Sequence, residues 1–350
     1  MKRAQRKLDH IQGAMVEKET GGAGFEHVTF IHQSLPECDL RDVSLQSGIG
    51  ELTLSSPIFI NAMTGGGGEE TFLINQGIAR VARKTGVAMA VGSQMAAVKD
   101  QAQRYTYEVV REENPDGILF ANLGMDATAE QAKEAVDIIA ADALQIHLNV
   151  IQELVMPEGD RSFSTVLARL EQIVQAINVP VIVKEVGFGM SYETARSLQS
   201  IGVAAVDVAG FGGTNFSRIE NDRRTRSMDF FNEWGIPTTC ALAELRLRHL
   251  QVPVLGSGGI TSPLDVVKAL ALGASAVGVA GIALRTFMSE GEEALEQLLV
   301  DWHNDMITIM TALGVTKPQQ LSSAPILVSG YVHHWLTERG LYTSEFAQPK

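Results

Sequence analysis

The chain of 350 residues has few cysteines, few aromatic residues and no long uncharged apolar run. Its two cysteines, Cys38 and Cys240, cannot form a disulfide framework, and its basic start has no apolar segment behind it, so we expect a cytoplasmic protein. No run approaches the ~18 uncharged residues of a membrane-spanning helix, which predicts no transmembrane segment. Hydrophobic residues at 45% and charged residues at 20% are typical of a folded globular chain and exclude long disorder.

Positive charge is also scarce. The 28 lysines and arginines face 41 acidic residues, which gives a formal net charge of −13. We therefore expect binding neither to nucleic acid nor to an anionic membrane. Any anionic ligand needs a local group of basic side chains.

From residue 57 onward, short apolar runs rich in Val, Ile and Ala alternate with segments of helical period, such as 130–141 and 263–272. Eight runs are candidate strands: 57–61, 87–91, 117–122, 144–149, 180–185, 204–209, 252–256 and 274–280. Continuous apolar strands that alternate with amphipathic helices predict a parallel sheet. Eight such units favour a (β/α)8 TIM barrel over a doubly wound open sheet.

Three regions follow from this pattern. Residues 1–56 form an N-terminal arm and loop, 57–290 the barrel, and 291–350 a C-terminal helical extension that begins with a long helix over 293–313. The connection 211–235 has no apolar period and is unusually long, which is typical of a lid or binding loop. A solvated excursion held by ion pairs is an equally good interpretation, because arginines and acidic residues alternate there.

Polar residues follow six candidate strands, where a parallel barrel carries its active site. They are Asn61 and Thr64, Ser93 and Gln94, Asn122, His147 with Asn149, Gln152 and Glu153, Lys184 with Glu185, and Thr214 with Asn215. Strands seven and eight add Gly256, Gly258 and Gly259, then Ala280 and Gly281. Glycines that let backbone N–H groups converge, followed by a helix N-terminus, are typical of a phosphate site.

Two charged groups near the strand ends indicate chemistry. Lys184 stands in an otherwise apolar strand, which favours a lysine aimed at a negatively charged ligand over an ion pair with Glu185. Glu153 is a single carboxylate, so it could hold Mg²⁺ only with substrate phosphates as further ligands. On the arm, Arg6, Lys7 and His10 form a basic group that is either a solvated arm or a set of diphosphate donors.

Together these motifs resemble the type II isopentenyl-diphosphate isomerases, which are FMN-dependent (β/α)8 enzymes. The resemblance runs from Arg6-Lys7 and His10 through Ala62-Met63-Thr64, Gln145-Ile146-His147-Leu148-Asn149 and Gln152-Glu153 to Gly256-Ser257-Gly258-Gly259 and Ala280-Gly281. The arm and the segment from Gln145 to Glu153 are specific to that family. The glycine motif occurs widely among FMN barrels.

The resemblance implies a set of roles. FMN contacts would come from Ala62, Met63, Thr64, Ser93, Asn122, Lys184, Thr214, Gly256, Gly258, Gly259, Ala280 and Gly281. Substrate contacts would come from Arg6, Lys7, His10, Ser93, His147, Asn149 and Gln152, with Glu153 on Mg²⁺. Gln152, Lys184 and His147 would be catalytic. Some members carry a basic residue where this chain has Met95, so one diphosphate contact must come from elsewhere or be absent.

The implied reaction is a 1,3-allylic double-bond shift between isopentenyl and dimethylallyl diphosphate, with reduced FMN as acid–base cofactor, NADPH as reductant, and a homo-oligomer, tetramer or octamer, as the working form. An FMN oxidoreductase of the 2-hydroxy-acid oxidase type is the alternative. It needs a base histidine and a carboxylate-binding arginine, and no arginine stands at the predicted strand ends. A flavin-binding protein without catalytic activity is a third class.

Overall fold

The computed structural model describes residues 22–349, and its centre is a closed barrel of eight parallel strands. The strands are β4 (Ile58–Ile60), β5 (Ala88–Ala90), β6 (Leu119–Gly124), β7 (Ala143–His147), β8 (Val181–Lys184), β9 (Ala205–Asp207), β10 (Val254–Ser257) and β11 (Ala276–Val279). They pair in chain order, and β11 pairs with β4 to close the barrel. The predicted fold and all eight predicted strands are confirmed.

Alternating side chains explain why these strands are apolar throughout. Residues such as Phe59, Phe120 and Ile182 point inward and form one buried cluster, while their neighbours pack against the helices in a second cluster. Two antiparallel pairs of strands lie outside the barrel: the hairpin of β2 (Ser47–Ile49) and β3 (Leu52–Leu54), and the ribbon of β1 (Val28–Phe30) with β12 (Ile326–Val328).

Helices cover the outside of the barrel. In chain order they are α1 (Glu69–Thr85), α2 (Met95–Lys99), α3 (Tyr105–Glu113), α4 (Ala129–Ile138), α5 (Val150–Val155), α6 (Val166–Ala176), α7 (Tyr192–Ser200), α8 (Phe216–Asn221), α9 (Thr238–Leu247), α10 (Pro263–Ala271), α11 (Gly281–Glu290), α12 (Glu292–Ala312), α13 (Gly330–Glu338) and α14 (Ser344–Ala347). Between residues 22 and 349, no helix is long and apolar enough to cross a bilayer.

The long connection after β9 is more structured than its sequence predicts. Helix α8 and a 3₁₀ turn over Asp229–Phe231 lie within it, and the Asn215 side chain caps α8 by accepting from Arg218 N. Six residues are too few to show a helical period, which is why the sequence of this connection did not indicate α8.

One buried carboxylate holds α13 against the barrel wall. Glu244 of α9 accepts hydrogen bonds from Arg248, from Arg339 and from the indole N–H of Trp335. Its side chain is only 3% exposed. The C-terminal segment is therefore fixed by a charged cluster as well as by apolar packing.

Candidate active site

A pocket of about 1170 Å³, including its open mouth, lies at the carboxyl ends of the barrel strands. Most residues proposed from sequence line it: Ala62, Met63, Thr64, Ser93, Asn122, His147, Gln152, Lys184, Thr214, Gly258, Gly259, Ala280 and Gly281. Asn149 and Glu153 lie just behind this lining. Gly256 lies within β10 and is not part of the lining; a Cβ there would lie 3.1 Å from Leu242 in the helix layer. Arg6, Lys7 and His10 lie outside the described residues.

Close-packed backbone forms one end of the pocket. Gly258 has a φ of 98°, and a Cβ there would lie 2.2 Å from the carbonyl oxygen of Gly210. A Cβ on Gly213 would lie 2.8 Å from the Gly259 nitrogen. Helix α11 begins beside them at Gly281 and runs for ten residues. Converging backbone and a helix N-terminus suit the phosphate of FMN, so the residues present fit that group.

Lys184 is the amine of the pocket and is 6% exposed. Burial lowers its pKa, while the carboxylates of Asp207 and Glu185 oppose that shift. Its Nζ donates to the backbone carbonyl of Glu185 at 2.7 Å. The Glu185 carboxylate instead accepts from the N–H groups of Val186 and Phe188, so the side chains of Lys184 and Glu185 are not hydrogen-bonded to each other.

Asp207 was missed in the sequence analysis, although it is the fully buried residue that pairs in register with Lys184. Its carboxylate accepts from Asn61 Nδ2, from Ser257 Oγ and from Ala209 N. Burial raises its pKa, and Lys184 and these donors oppose the rise. An aspartate inside an apolar strand is as unusual as a lysine there, so the signal was present in the sequence.

The pocket lining also includes Gln152, an amide expected to meet substrate. Gln152 is 7% exposed and its Nε2 donates to Glu220 Oε1 at 3.2 Å. Glu220 belongs to α8, is fully buried, and is paired with Arg223, which also contacts Glu158. The long connection therefore reaches the site through Glu220, a residue that was not proposed for the site from the sequence.

Glu153 is suited to a metal only as one ligand among others. Its two carboxylate oxygens accept from Asn149 Nδ2 at 2.9 Å and from Asp160 N at 2.8 Å. In the part of the chain that the structure describes, no group of three or more His, Cys, Asp or Glu residues could hold a metal ion. Mg²⁺ would fit here only if a bound phosphate supplied most of its ligands.

The site differs in two ways from related FMN enzymes as the sequence analysis described them. Met95, which follows Gly-Ser-Gln, is buried in the core at 2% exposure, so it makes no polar contact with a ligand. Among residues 22–349, no arginine lines the pocket. A site that binds a 2-hydroxy-acid carboxylate through arginine is therefore not formed by the described lining.

Comparison with solved structures shows the fold. A lactate oxidase from Pediococcus acidilactici superimposes with a TM-score of 0.67 at 16% identity, covering 94% of both chains. A flavocytochrome b2 variant gives a TM-score of 0.69 at 19% identity, covering 91% of this chain and 82% of its own. At these identities the likeness establishes a shared barrel architecture alone.

Sequence comparison goes further. The model of the FMN-dependent dehydrogenase family matches residues 2–328. An isopentenyl-diphosphate delta-isomerase from Geobacillus sp. (strain WCH70) is 55% identical over 347 residues, 99% of each chain. Another from Bacillus licheniformis is 54% identical over 341 residues, 97% of this chain and 98% of its own. The chain therefore belongs to the isopentenyl-diphosphate delta-isomerase family, in its FMN-dependent barrel form.

Proposed function

We propose that this protein interconverts isopentenyl diphosphate and dimethylallyl diphosphate by a 1,3-allylic double-bond shift, with FMN bound in the barrel pocket. One observation carries the proposal. Buried Lys184 and Gln152 and half-buried His147 line the same pocket as a glycine-rich phosphate cradle, in a chain whose relatives bear the isomerase name. A flavin, a cation beside it and substrate-binding amides are the parts that this reaction needs.

The pocket residues divide into two groups. Gly258, Gly259, Ala280 and Gly281 would hold the FMN phosphate, while Met63, Thr64, Ser93, Asn122 and Thr214 would contact the rest of the cofactor. Reduced FMN, when bound, supplies a proton donor and acceptor at N5 that no side-chain pair here provides. Lys184 would stabilise negative charge on the cofactor, and the burial of its amine strengthens that interaction.

The other residues would hold the substrate. His147, Asn149 and the arm residues Arg6, Lys7 and His10 would bind the diphosphate, and Gln152 would lie against the allylic carbons. Glu153 would hold Mg²⁺ together with the diphosphate oxygens. We also propose NADPH as the reductant and a cytoplasmic homo-oligomer, a tetramer or octamer, as the working form. Sedimentation of the purified protein tests the last point.

The deciding experiment compares the consumption of reductant with turnover. Under anaerobic conditions with NADPH or dithionite, both diphosphates should reach the same ratio from either side, while reductant is used once per enzyme rather than once per product. The oxidised enzyme should be nearly silent. Consumption of one NADPH per product molecule would instead support the oxidoreductase alternative, and bound FMN without turnover of either diphosphate would support the third class.

A matched pair of variants tests the metal assignment. Glu153→Gln should weaken the response of the rate to Mg²⁺ and leave FMN bound, because this carboxylate lies away from the phosphate cradle. Glu158→Gln is the control, since Glu158 lies on the same segment and contacts Arg223 at the surface. Wild-type magnesium dependence in Glu153→Gln would contradict the assignment.

A further inference from the structure

The floor of the pocket contains a row of buried amide side chains whose direction is fixed at one end. Asn61 is 3% exposed, and its Oδ1 accepts from the backbone N–H of Ala62 at 2.9 Å. Its Nδ2 donates to Asp207 Oδ2 at 2.8 Å. A backbone N–H can only donate, so the oxygen of this amide must face Ala62 whatever the charge of Asp207.

The orientation of Asn61 then sets the orientation of the next amide, and that amide sets the one after it, across the barrel. Gln145, which is fully buried, donates from Nε2 to Asn61 Oδ1 at 3.2 Å. Its Oε1 accepts from Asn122 Nδ2 at 3.3 Å. The remaining Asn122 oxygen lies 2.9 Å from His147 Nδ1. Each amide has one acceptor and one donor end, so orienting the first orients all three.

We propose that this amide chain, Asn61–Gln145–Asn122, fixes the tautomer of His147 and that Gln145 is therefore a positioning residue for the reaction. The inference deepens the proposed function, because it concerns the histidine placed against the substrate. Asn122 presents an oxygen to His147, so Nδ1 must carry a proton. The three amide groups cannot all be flipped, because the oxygen of Asn61 must accept from the Ala62 N–H.

The consequence lies at the other ring nitrogen. With Nδ1–H held by Asn122 in both protonation states, Nε2 is the atom at which His147 gains or loses a proton. The neutral ring offers an acceptor there, and the imidazolium offers a donor suited to a diphosphate oxygen. His147 can therefore change its charge without any rearrangement of the buried amides.

Nitrogen-15 NMR of the flavin-loaded, oxidised protein reads the tautomer directly. The chain has eight histidines, so ¹⁵N-histidine labelling gives few signals, and His147→Gln assigns the relevant pair. We expect His147 to be a single Nδ1–H tautomer in the neutral form. A neutral ring protonated at Nε2 in the wild type would overturn the proposal.

Two variants at Gln145 separate positioning from structural support. Gln145→Leu removes the acceptor that holds Asn122 Nδ2, so Asn122 can rotate and His147 should become a mixture of tautomers. Gln145→Glu keeps an acceptor toward Asn122 whether or not it is protonated, so the single tautomer should persist. A changed tautomer in both variants, or in neither, would contradict the proposal, and thermal unfolding confirms that each variant is folded.

Steady-state kinetics supply a second readout. We expect Gln145→Leu to raise KM for isopentenyl diphosphate about fivefold relative to Gln145→Glu, the effect of weakening one hydrogen bond. Equal KM values in the two variants would count against positioning. If the wild-type protein binds no FMN or shows no isomerisation, the proposed function fails, whereas the tautomer, measured on the protein itself, is judged separately.

Discussion

At the scale of single residues, Lys184 is the group on which the proposed chemistry depends most. Its amine is buried, its register neighbour is the buried carboxylate of Asp207, and it lines the pocket beside His147. Burial disfavours a charged lysine, and Asp207 opposes that effect. Asp207 therefore offsets part of the cost of burying a charged amine at the pocket.

Replacing this lysine by an uncharged side chain of similar length should affect the flavin and the reaction together. We expect Lys184→Met to lower the midpoint potential of bound FMN, because an anionic reduced form would lose the counter-charge that Lys184 would supply. The rate should fall about 100-fold or more, the usual effect of removing one preorganised electrostatic partner. Spectroelectrochemistry and anaerobic assays check both values. An unchanged potential in a variant that still binds FMN would contradict this role.

Glu185 gives the protein a pH-dependent stability. Burial raises the pKa of its carboxyl to about 7. The folded protein therefore keeps this proton where the unfolded chain has lost it, so this stabilising contribution is complete below the unfolded pKa and disappears as pH rises toward 7. We expect Glu185→Gln to flatten the stability profile across that window, by at most about 3 kcal/mol. Urea unfolding at several pH values measures the free energy of unfolding. If that energy changed with pH as steeply in Glu185→Gln as in the wild type, Glu185 would not be the cause.

Residue chemistry was predictable where a polar type interrupted an apolar strand or followed its end. Lys184, His147 and Gln152, all of which line the pocket, were singled out in this way. Asp207 carried the same signal as Lys184, but it falls in the middle of the predicted run 204–209, whereas site residues were sought at the ends of the runs; in the structure β9 ends at Asp207. Glu220 could not be found, since its burial depends on α8 folding back against Gln152, a contact distant in sequence.

At the scale of elements, the alternation of strand and helix was visible because each barrel strand is buried on both faces. That pattern needs no knowledge of neighbours. The short helix α8 and the outer strands β1 and β12 were not predicted, since each is only three to six residues long and is stabilised by a partner far along the chain. Short elements of this kind carry too little periodicity to be read from sequence.

The turn after β10 offers a clean test of the phosphate cradle. Gly258 and Gly291 have similar φ angles, 98° and 92°, but a Cβ on Gly258 would meet the Gly210 carbonyl whereas one on Gly291 would meet nothing within 4 Å. Gly258→Ala should therefore lose FMN affinity at least about tenfold, with a stability cost above the 1–3 kcal/mol of backbone strain alone. Gly291→Ala should show only that strain. FMN titration and thermal unfolding compare them, and equal FMN affinity would remove Gly258 from the cradle.

At the scale of the whole molecule, the C-terminal segment is joined to the barrel through Glu244. This carboxylate is almost fully buried and bonds Arg248, Arg339 and Trp335, whereas Glu193 contacts Arg339 from the surface with 64% of its side chain exposed. The two carboxylates thus share one arginine in different surroundings. Replacing each carboxylate in turn compares the stability contributed by a buried carboxylate with that contributed by an exposed one.

We expect Glu244→Ala to destabilise the protein by about 1–3 kcal/mol, since the Trp335 N–H and the half-buried guanidinium groups of Arg248 and Arg339 lose their shared buried acceptor. Glu193→Ala should cost at most about 1 kcal/mol, the usual value of an exposed pair. Denaturant unfolding gives both numbers. Similar losses in the two variants would show that the C-terminal segment depends on apolar packing rather than on Glu244.

The outer ribbon has a consequence for how the protein is made. Its strands meet where Ser329 hydrogen-bonds to His27, 302 residues apart in sequence. A ribosome adding 5–20 residues per second would separate the synthesis of these two strands by about 15–60 s. Throughout that time Val28–Phe30 has an unpaired edge, which is the kind of segment that associates wrongly with other chains. The nascent protein should therefore depend on chaperones most strongly just before residues 326–328 emerge.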